Sequence, residues 1–259
     1  MPGRATIRLF APSRFLDADI EDWVLETWGW LMANLGGMER FQQTPLVTAS
    51  RECFPPTDTE GHARALYVFE QVKQLMGMQN RPCTLRAFER SPDNHRVGLY
   101  AQVQRGGTAN GTFQIRDGEV IIRYASDLVT QPRQLIATFA HELSHYLLAT
   151  IMKPIPGGND LHELTTELTV AYTGFGIFGA NAAFRFEQHQ DPFGQGWSAS
   201  RSGYFSEPTW AFALAMFAHL RQVELPRDQL KPSIGDLTRK AGRYLEKRPA
   251  LLAPLRNPA

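Results

Sequence analysis

The pentapeptide His141-Glu142-Leu143-Ser144-His145 constrains this chain more than any other feature. It lies in a stretch patterned as a helix from about Gln131 to Met152, in which Leu135, Ile136, Phe139, Leu143, Leu147 and Ile151 form a wide apolar face. Thr130 is placed to cap the start and Pro132 suits the first turn, while Pro154, Pro156 and Gly157-Gly158 end the helix. On a helix, positions i and i+4 share a face one turn apart. His141 and His145 can therefore turn two imidazoles toward one metal ion. The plain alternative is a pair of helix-edge histidines satisfied by ordinary hydrogen bonds.

Glu142 follows the first histidine and projects to the side of the pair. There a carboxylate can take a proton from a metal-activated water and act as general base. A catalytic zinc needs a third protein ligand and an open position. The nearest donors are His162, Glu163 and Glu167, in a helix expected to begin near Asp160. Glu163 and Glu167 are one turn apart, so one can bind the metal while the other hydrogen-bonds a ligand histidine and sets its tautomer. Asp160-Leu161-His162-Glu163 also reads as a capping box, in which Glu163 folds back on the helix start. In that case Glu167 is an exposed carboxylate or itself the ligand.

The pentapeptide followed by Glu163-Leu164-Thr165-Thr166-Glu167 resembles the gluzincin pattern, H-E-x-x-H followed by a helix bearing E-x-x-x-D. The resemblance covers about residues 61 to 184 and implies one zinc per chain. It makes His141, His145 and Glu163 the ligands and Glu142 the base. Glu167 stands where the family has an aspartate, with the same charge on a longer arm. The implied fold is a minimal zincin-like core, with a small mixed sheet just before the metal helix and its edge strand beside the substrate. Glu119 to Ala125 is the expected edge strand, to which an extended peptide can add by main-chain hydrogen bonds. The run from Thr173 to Gly179 is similar to small bacterial zincin-like proteins. Gluzincins commonly place a Tyr or His beyond the third ligand to stabilise the oxyanion. Tyr204 is the candidate here, with His189 and Arg201 as alternatives. His62, His95 and His219 lack paired spacing.

The rest of the chain supplies the frame. Residues 18 to 35 carry apolar positions at helical spacing, with Asp17 or Asp19 to cap the start and Gly36-Gly37 to stop it. A second helix is expected over 61 to 78. Strand-like runs follow at Cys83 to Phe88, Gly98 to Gln104 and Gly111 to Ala125, the last split by Asp117-Gly118. That dipeptide between β-rich runs signals a hairpin, because both turn residues must tolerate positive φ. Later helices are expected over about 207 to 222 and 234 to 247. Strands segregated from helices argue for an α+β fold. The proline-bearing loop around Pro45, Pro55 and Pro56 suggests an N-terminal helical appendage over 1–57, a core over 58–184 and a helical C-terminal subdomain over 185–259.

Composition narrows the function classes. The net charge of +1 gives no basic footprint for nucleic acid. The basic residues Arg239, Lys240, Arg243, Lys247 and Arg248 are mixed with Asp236 and Glu246, and read as one solvated helix face. The uncharged stretch Leu168 to Phe184 is too short and too rich in glycine and threonine for a membrane span, which takes roughly 20 apolar residues; it reads as a buried helix ending in glycines. Cys53 and Cys83 lack metal or redox spacing and read as buried free thiols. Met1 to Phe10 has no apolar core of a signal peptide, so a cytoplasmic protein is expected. The leading expectation is a zinc-dependent hydrolase acting on a peptide or protein substrate. A zincin-like binding or regulatory module that keeps the metal is the alternative, and the presence of Glu142 favours catalysis.

Overall fold

The computed structural model describes residues 14–90, 110–187 and 205–256. The fold is α+β and mostly helical. Helix α1 (Ala18–Asn34) begins at Asp17, whose carboxylate accepts from the Asp19 N–H, so the first of the two expected caps is used. Short α2 (Gly37–Gln42) and α3 (Gly61–Leu75) lead into strand β1 (Thr84–Phe88). The run expected as a strand over Gly98–Gln104 lies outside the described residues.

Strands β2 (Gly111–Arg116) and β3 (Glu119–Ala125) form the expected hairpin. Asp117 and Gly118 take φ of 52° and 82°, the paired positive values that match the twist of the flanking strands. The sheet order is β1-β3-β2, with β1 parallel and β2 antiparallel to β3. This corrects the edge-strand assignment: Glu119–Ala125 is the central strand, and β2 is an edge among the described strands. Val120, Ile121, Ile122 and Tyr124 make β3 the most apolar strand, and such a strand gains most from neighbours on both sides.

Helix α4 (Pro132–Ala149) carries the pentapeptide. Every residue from Gln134 to Leu148 is buried, so the helix is enclosed rather than half-exposed. It packs against α3, β2, β3 and the two helices that follow. Thr130 is not its cap. Residues Ser126–Thr130 form a 3₁₀ turn in which the Thr130 hydroxyl donates to the Asp127 carbonyl, and Gln131 takes the N-cap position without a side-chain cap.

Helix α5 (His162–Val170) runs through a π turn (Ala171–Phe175) into α6 (Gly176–Glu187). The stretch from Leu168 is buried as expected, and the first of its glycines interrupts the helix before a new one begins at Gly176. Gly174, at φ 91°, breaks the helical path, and the space a side chain would need there is taken by the Pro45 carbonyl. Gly176 and Gly179 then let α6 press against Leu214 and Trp210 of α7 (Glu207–Arg221). Amphipathic α8 (Pro232–Glu246) buries Ile234, Thr238, Ala241 and Leu245, while Arg239 pairs with Asp236 on its exposed side. A short α9 (Ala253–Arg256) follows.

The three expected segments share one hydrophobic cluster. Trp28 of α1 meets Phe41 and Tyr172, and Phe41 also meets Phe217 of α7. Cys53 and Cys83 are free and half-buried. No helix among the described residues is long and apolar enough to cross a membrane.

Candidate metal centre

Enclosure of α4 turns its two histidines inward, where they have to find polar partners. His141 and His145 are 7% and 1% exposed, and their Nε2 atoms lie 3.1 Å apart. Glu163, on the first turn of α5, brings Oε2 to 3.5 Å from His141 Nε2 and 3.6 Å from His145 Nε2. Glu163 is therefore not a capping residue: α5 starts at His162 without a side-chain cap, and the carboxylate points into the centre. Tetrahedral ligands at zinc-like bond lengths of 2.0–2.1 Å place donor atoms about 3.3 Å apart. The three observed separations bracket that value, so the His-His-Glu group could hold a metal ion.

The far side of each ring settles which nitrogen faces the centre. His141 Nδ1 is 3.5 Å from Glu167 Oε1, so the Nδ1–H points at a carboxylate. His145 Nδ1 is 3.3 Å from Thr166 Oγ1. The Thr166 hydroxyl donates its proton to the His162 carbonyl at 2.9 Å, which leaves its oxygen to accept from His145 Nδ1–H. Both Nε2 lone pairs then face Glu163 Oε2. Three lone-pair donors converging at these distances repel one another unless a proton or a cation sits among them.

The titration behaviour has the same origin. Burial alone would lower His141, but hydrogen bonds to Glu163 and Glu167 outweigh it and raise its pKa well above the ordinary imidazole value. His145 falls to about 3, from burial and from the charge on His141. Burial would raise Glu163, yet the hydrogen bond from His141 and the nearby histidine charges bring it down to about 2. A proton on His141 is one way to hold this cluster together; a metal ion is the other.

Around the centre, Phe113 of β2 and His162 lie nearly parallel to the His145 ring, at 6.2 and 5.1 Å between centroids. His162 is thus a stacking neighbour and is not in the donor group. Glu142 is fully buried. A side chain on Gly111 would meet its Oε1 at 2.8 Å, so the edge strand can lie against this carboxylate only because position 111 is glycine.

Of the other residues singled out by sequence, His62 hydrogen-bonds the Tyr124 hydroxyl, away from the centre, and His219 is on α7. Tyr204, His189, Arg201 and His95 lie outside the described residues. Three contributors were missed by sequence reasoning: Thr166, Phe113 and Gly111. Only Thr166 left a signal, since it is one residue before Glu167 on the helix already expected to supply the third ligand.

Comparison with family models, with curated proteins and with solved structures finds no match for this chain. The functional reading therefore rests on the geometry.

Proposed function

We propose that this chain is a zinc-dependent peptidase of the gluzincin type, with one zinc held by His141, His145 and Glu163. The observation that carries the reading is the triangle of His141 Nε2, His145 Nε2 and Glu163 Oε2, with a buried carboxylate at the next position on the same helix. A structural zinc site is commonly closed by four protein ligands and rich in cysteine. Three nitrogen and oxygen donors suit a site that keeps a position open.

The chemistry that a bound zinc supplies is Lewis acidity, which polarises a carbonyl and makes water a stronger acid. The chain's own groups do the rest. Glu142 accepts a proton from the attacking water on its carboxylate and returns it to the leaving amine. Glu167 and Thr166 fix the two imidazoles by holding their Nδ1–H groups. Phe113 covers one imidazole and limits its contact with water. Because β3 is central, β2 is, among the described strands, the edge near the site to which an extended peptide would add. Tyr204 remains the proposed oxyanion donor.

A second reading, a metal-bearing binding or regulatory module, is favoured by one observation. Glu142 and His145 are almost wholly buried, and the donor group opens to solvent mainly at Glu163, with 31% of its side chain exposed. The test is zinc content together with cleavage of a diverse peptide pool, in the wild type and in Glu142→Gln. The peptidase reading expects one zinc in both proteins and a loss of about 10²–10⁴-fold in hydrolysis for the variant. A variant that keeps zinc and full activity removes Glu142 as the base. A zinc-loaded wild type that cleaves nothing moves the assignment to the binding module.

A further inference from the structure

A cavity of about 780 Å³, within the size range of small-molecule sites, opens where α1, α3 and α4 end. Leu35, Met76 and Thr150, the C-caps of those helices, all line it. The same wall carries three cations from separate segments: Arg40 of α2, Arg81 before β1 and Lys153 in the loop after α4. No Asp or Glu is among the described lining residues. A chain of net charge +1 has thus gathered three positive charges round one hollow without a balancing carboxylate.

The helix ends explain part of this. Each C-terminus carries a partial negative charge of about half a unit, so together they offset about half of the cationic charge. They do not bind the cations. The last carbonyls are taken by the backbone: the N–H groups of Leu35, Met76 and Thr150 donate to the carbonyls of Leu31, Val72 and Leu147. None of the three cationic side chains takes part in a hydrogen bond or ion pair among the described residues. Two of them are nevertheless held in place. The Arg40 guanidinium lies over Gly77, in space that a side chain there would fill. The Arg81 guanidinium lies 5.9 Å from the centroid of the Tyr146 ring. A guanidinium that is positioned but has no acceptor is suited to bidentate capture of an oxyanion. Leu35, Ile151 and Met152 give the cavity an aliphatic side.

We propose that this cavity binds a small organic phosphate. The head is held by Arg40, Arg81 and Lys153, and the carbon body lies on Leu35 and Ile151. Three cations favour a phosphate monoester, with a charge of about −1.5 to −2 at pH 7, over a carboxylate with half as much. Leu147, on the cavity wall, follows His145 by two residues, about 200° round the helix, so the cavity is on the other side of α4 from the metal centre.

The test is binding of phenyl phosphate to the full chain, with and without a chelator, read by calorimetric titration and thermal unfolding. Benzoate, inorganic phosphate and neutral benzyl alcohol are run beside it. At about ten times its Kd, phenyl phosphate should raise Tm by about 3–6 °C in a chain of this size, with the same Kd whether or not metal is present. Benzoate and inorganic phosphate should bind at least about threefold more weakly, and benzyl alcohol should not bind. Lys153→Gln, at an exposed position, and Arg81→Gln should each weaken phenyl phosphate at least about threefold, and Lys153→Glu at least about tenfold. Lys240→Gln, an exposed cation on α8, should leave the Kd intact. No saturable binding overturns the proposal. So does binding that survives both Lys153→Glu and Arg81→Gln, and so does binding that the chelator removes, which would place the anion at the metal centre. Equal binding of benzoate overturns the phosphate head, and equal binding of inorganic phosphate overturns the organic body.

Discussion

Two carboxylates in this molecule, Glu21 and Glu163, are each surrounded by polar groups and differ in how completely they are satisfied. Glu21 on α1 is 1% exposed. It accepts from the Tyr244 hydroxyl at 2.8 Å and from the backbone N–H groups of Phe15 and Leu16 at 3.1 and 3.4 Å. Each of these groups is a donor, so the cluster ties the segment before α1, α1 and α8 together. Around Glu163 the nearest groups are two imidazole nitrogens whose lone pairs already face the same point, at 3.5 and 3.6 Å. The first cluster is complete as protein. The second is completed by a proton or a metal. Saturation, rather than burial or charge, separates a structural carboxylate from a ligand.

The largest effect that can break this comparison is loss of metal. His141→Ala and His145→Ala should each abolish stoichiometric zinc, measured by elemental analysis of purified protein; full zinc in either would dissolve the centre as drawn. Glu163→Ala should lower zinc affinity more than Glu167→Ala, and the reverse order would exchange their roles. No substitution at Glu21 should change zinc content.

A smaller effect sharpens the division within the metal cluster. Thr166→Val removes the acceptor for His145 Nδ1–H but no ligand. Loss of such an outer hydrogen bond typically weakens metal affinity about 10–100-fold. A competition titration against a chelator measures it, and an unchanged affinity would mean that Thr166 does not orient the ring.

The saturated cluster makes the opposite prediction. Tyr244→Phe removes one donor from a buried carboxylate and should destabilise the fold by about 1–3 kcal/mol, read from denaturant unfolding, with zinc content unchanged. If the variant is as stable as the wild type, the Glu21 cluster does not hold α1 to α8.

Acidity gives the finest distinction. In the zinc-free protein Glu163 is depressed to about 2, so its contribution to stability is present above the unfolded carboxylate value of about 4.3 and is lost as pH falls toward 2. His145, lowered to about 3, is neutral in the fold, so its contribution is lost as pH falls below the unfolded imidazole value of about 6.5. His141 is raised, so its contribution is present below about 6.5 and is lost as pH rises through its folded pKa. Since His141 must give up its proton to bind, zinc affinity should fall as the solution is acidified. Chelator titrations across pH check this. An affinity indifferent to pH between about 5 and 8 would contradict the proton-or-metal account, because the proton held on His141 must leave for the metal to bind.

Much of this was legible because it depends on local spacing. Helical periodicity and stop residues located α1, α3, α4, α7 and α8 to within a few residues, and Asp117-Gly118 located the hairpin. The i, i+4 relation of His141 and His145 needs only a helix to bring the rings together. The choice among Glu163, Glu167 and His162 was not legible in this way. All three are on one short helix, and which atom reaches the histidines depends on how α5 crosses α4. The glycines after Leu168 were legible as a break in the helix, which falls at Gly174, but not as packing sites. Their absent side chains make room for Pro45, Leu214 and Trp210, which are distant in sequence.

By itself the sequence determined an α+β chain with a metal-type histidine pair on an internal helix, because periodicity, turn chemistry and spacing act over a few residues. Only the tertiary structure decided that, among the described strands, β3 is central and β2 the edge, since strand order is set by long-range pairing with β1. It alone brought Glu163 within 3.6 Å of both histidines and set Thr166 behind one and Glu167 behind the other. Those distances depend on two helices packing at one angle, and that angle comes from the sum of many apolar contacts rather than from any motif.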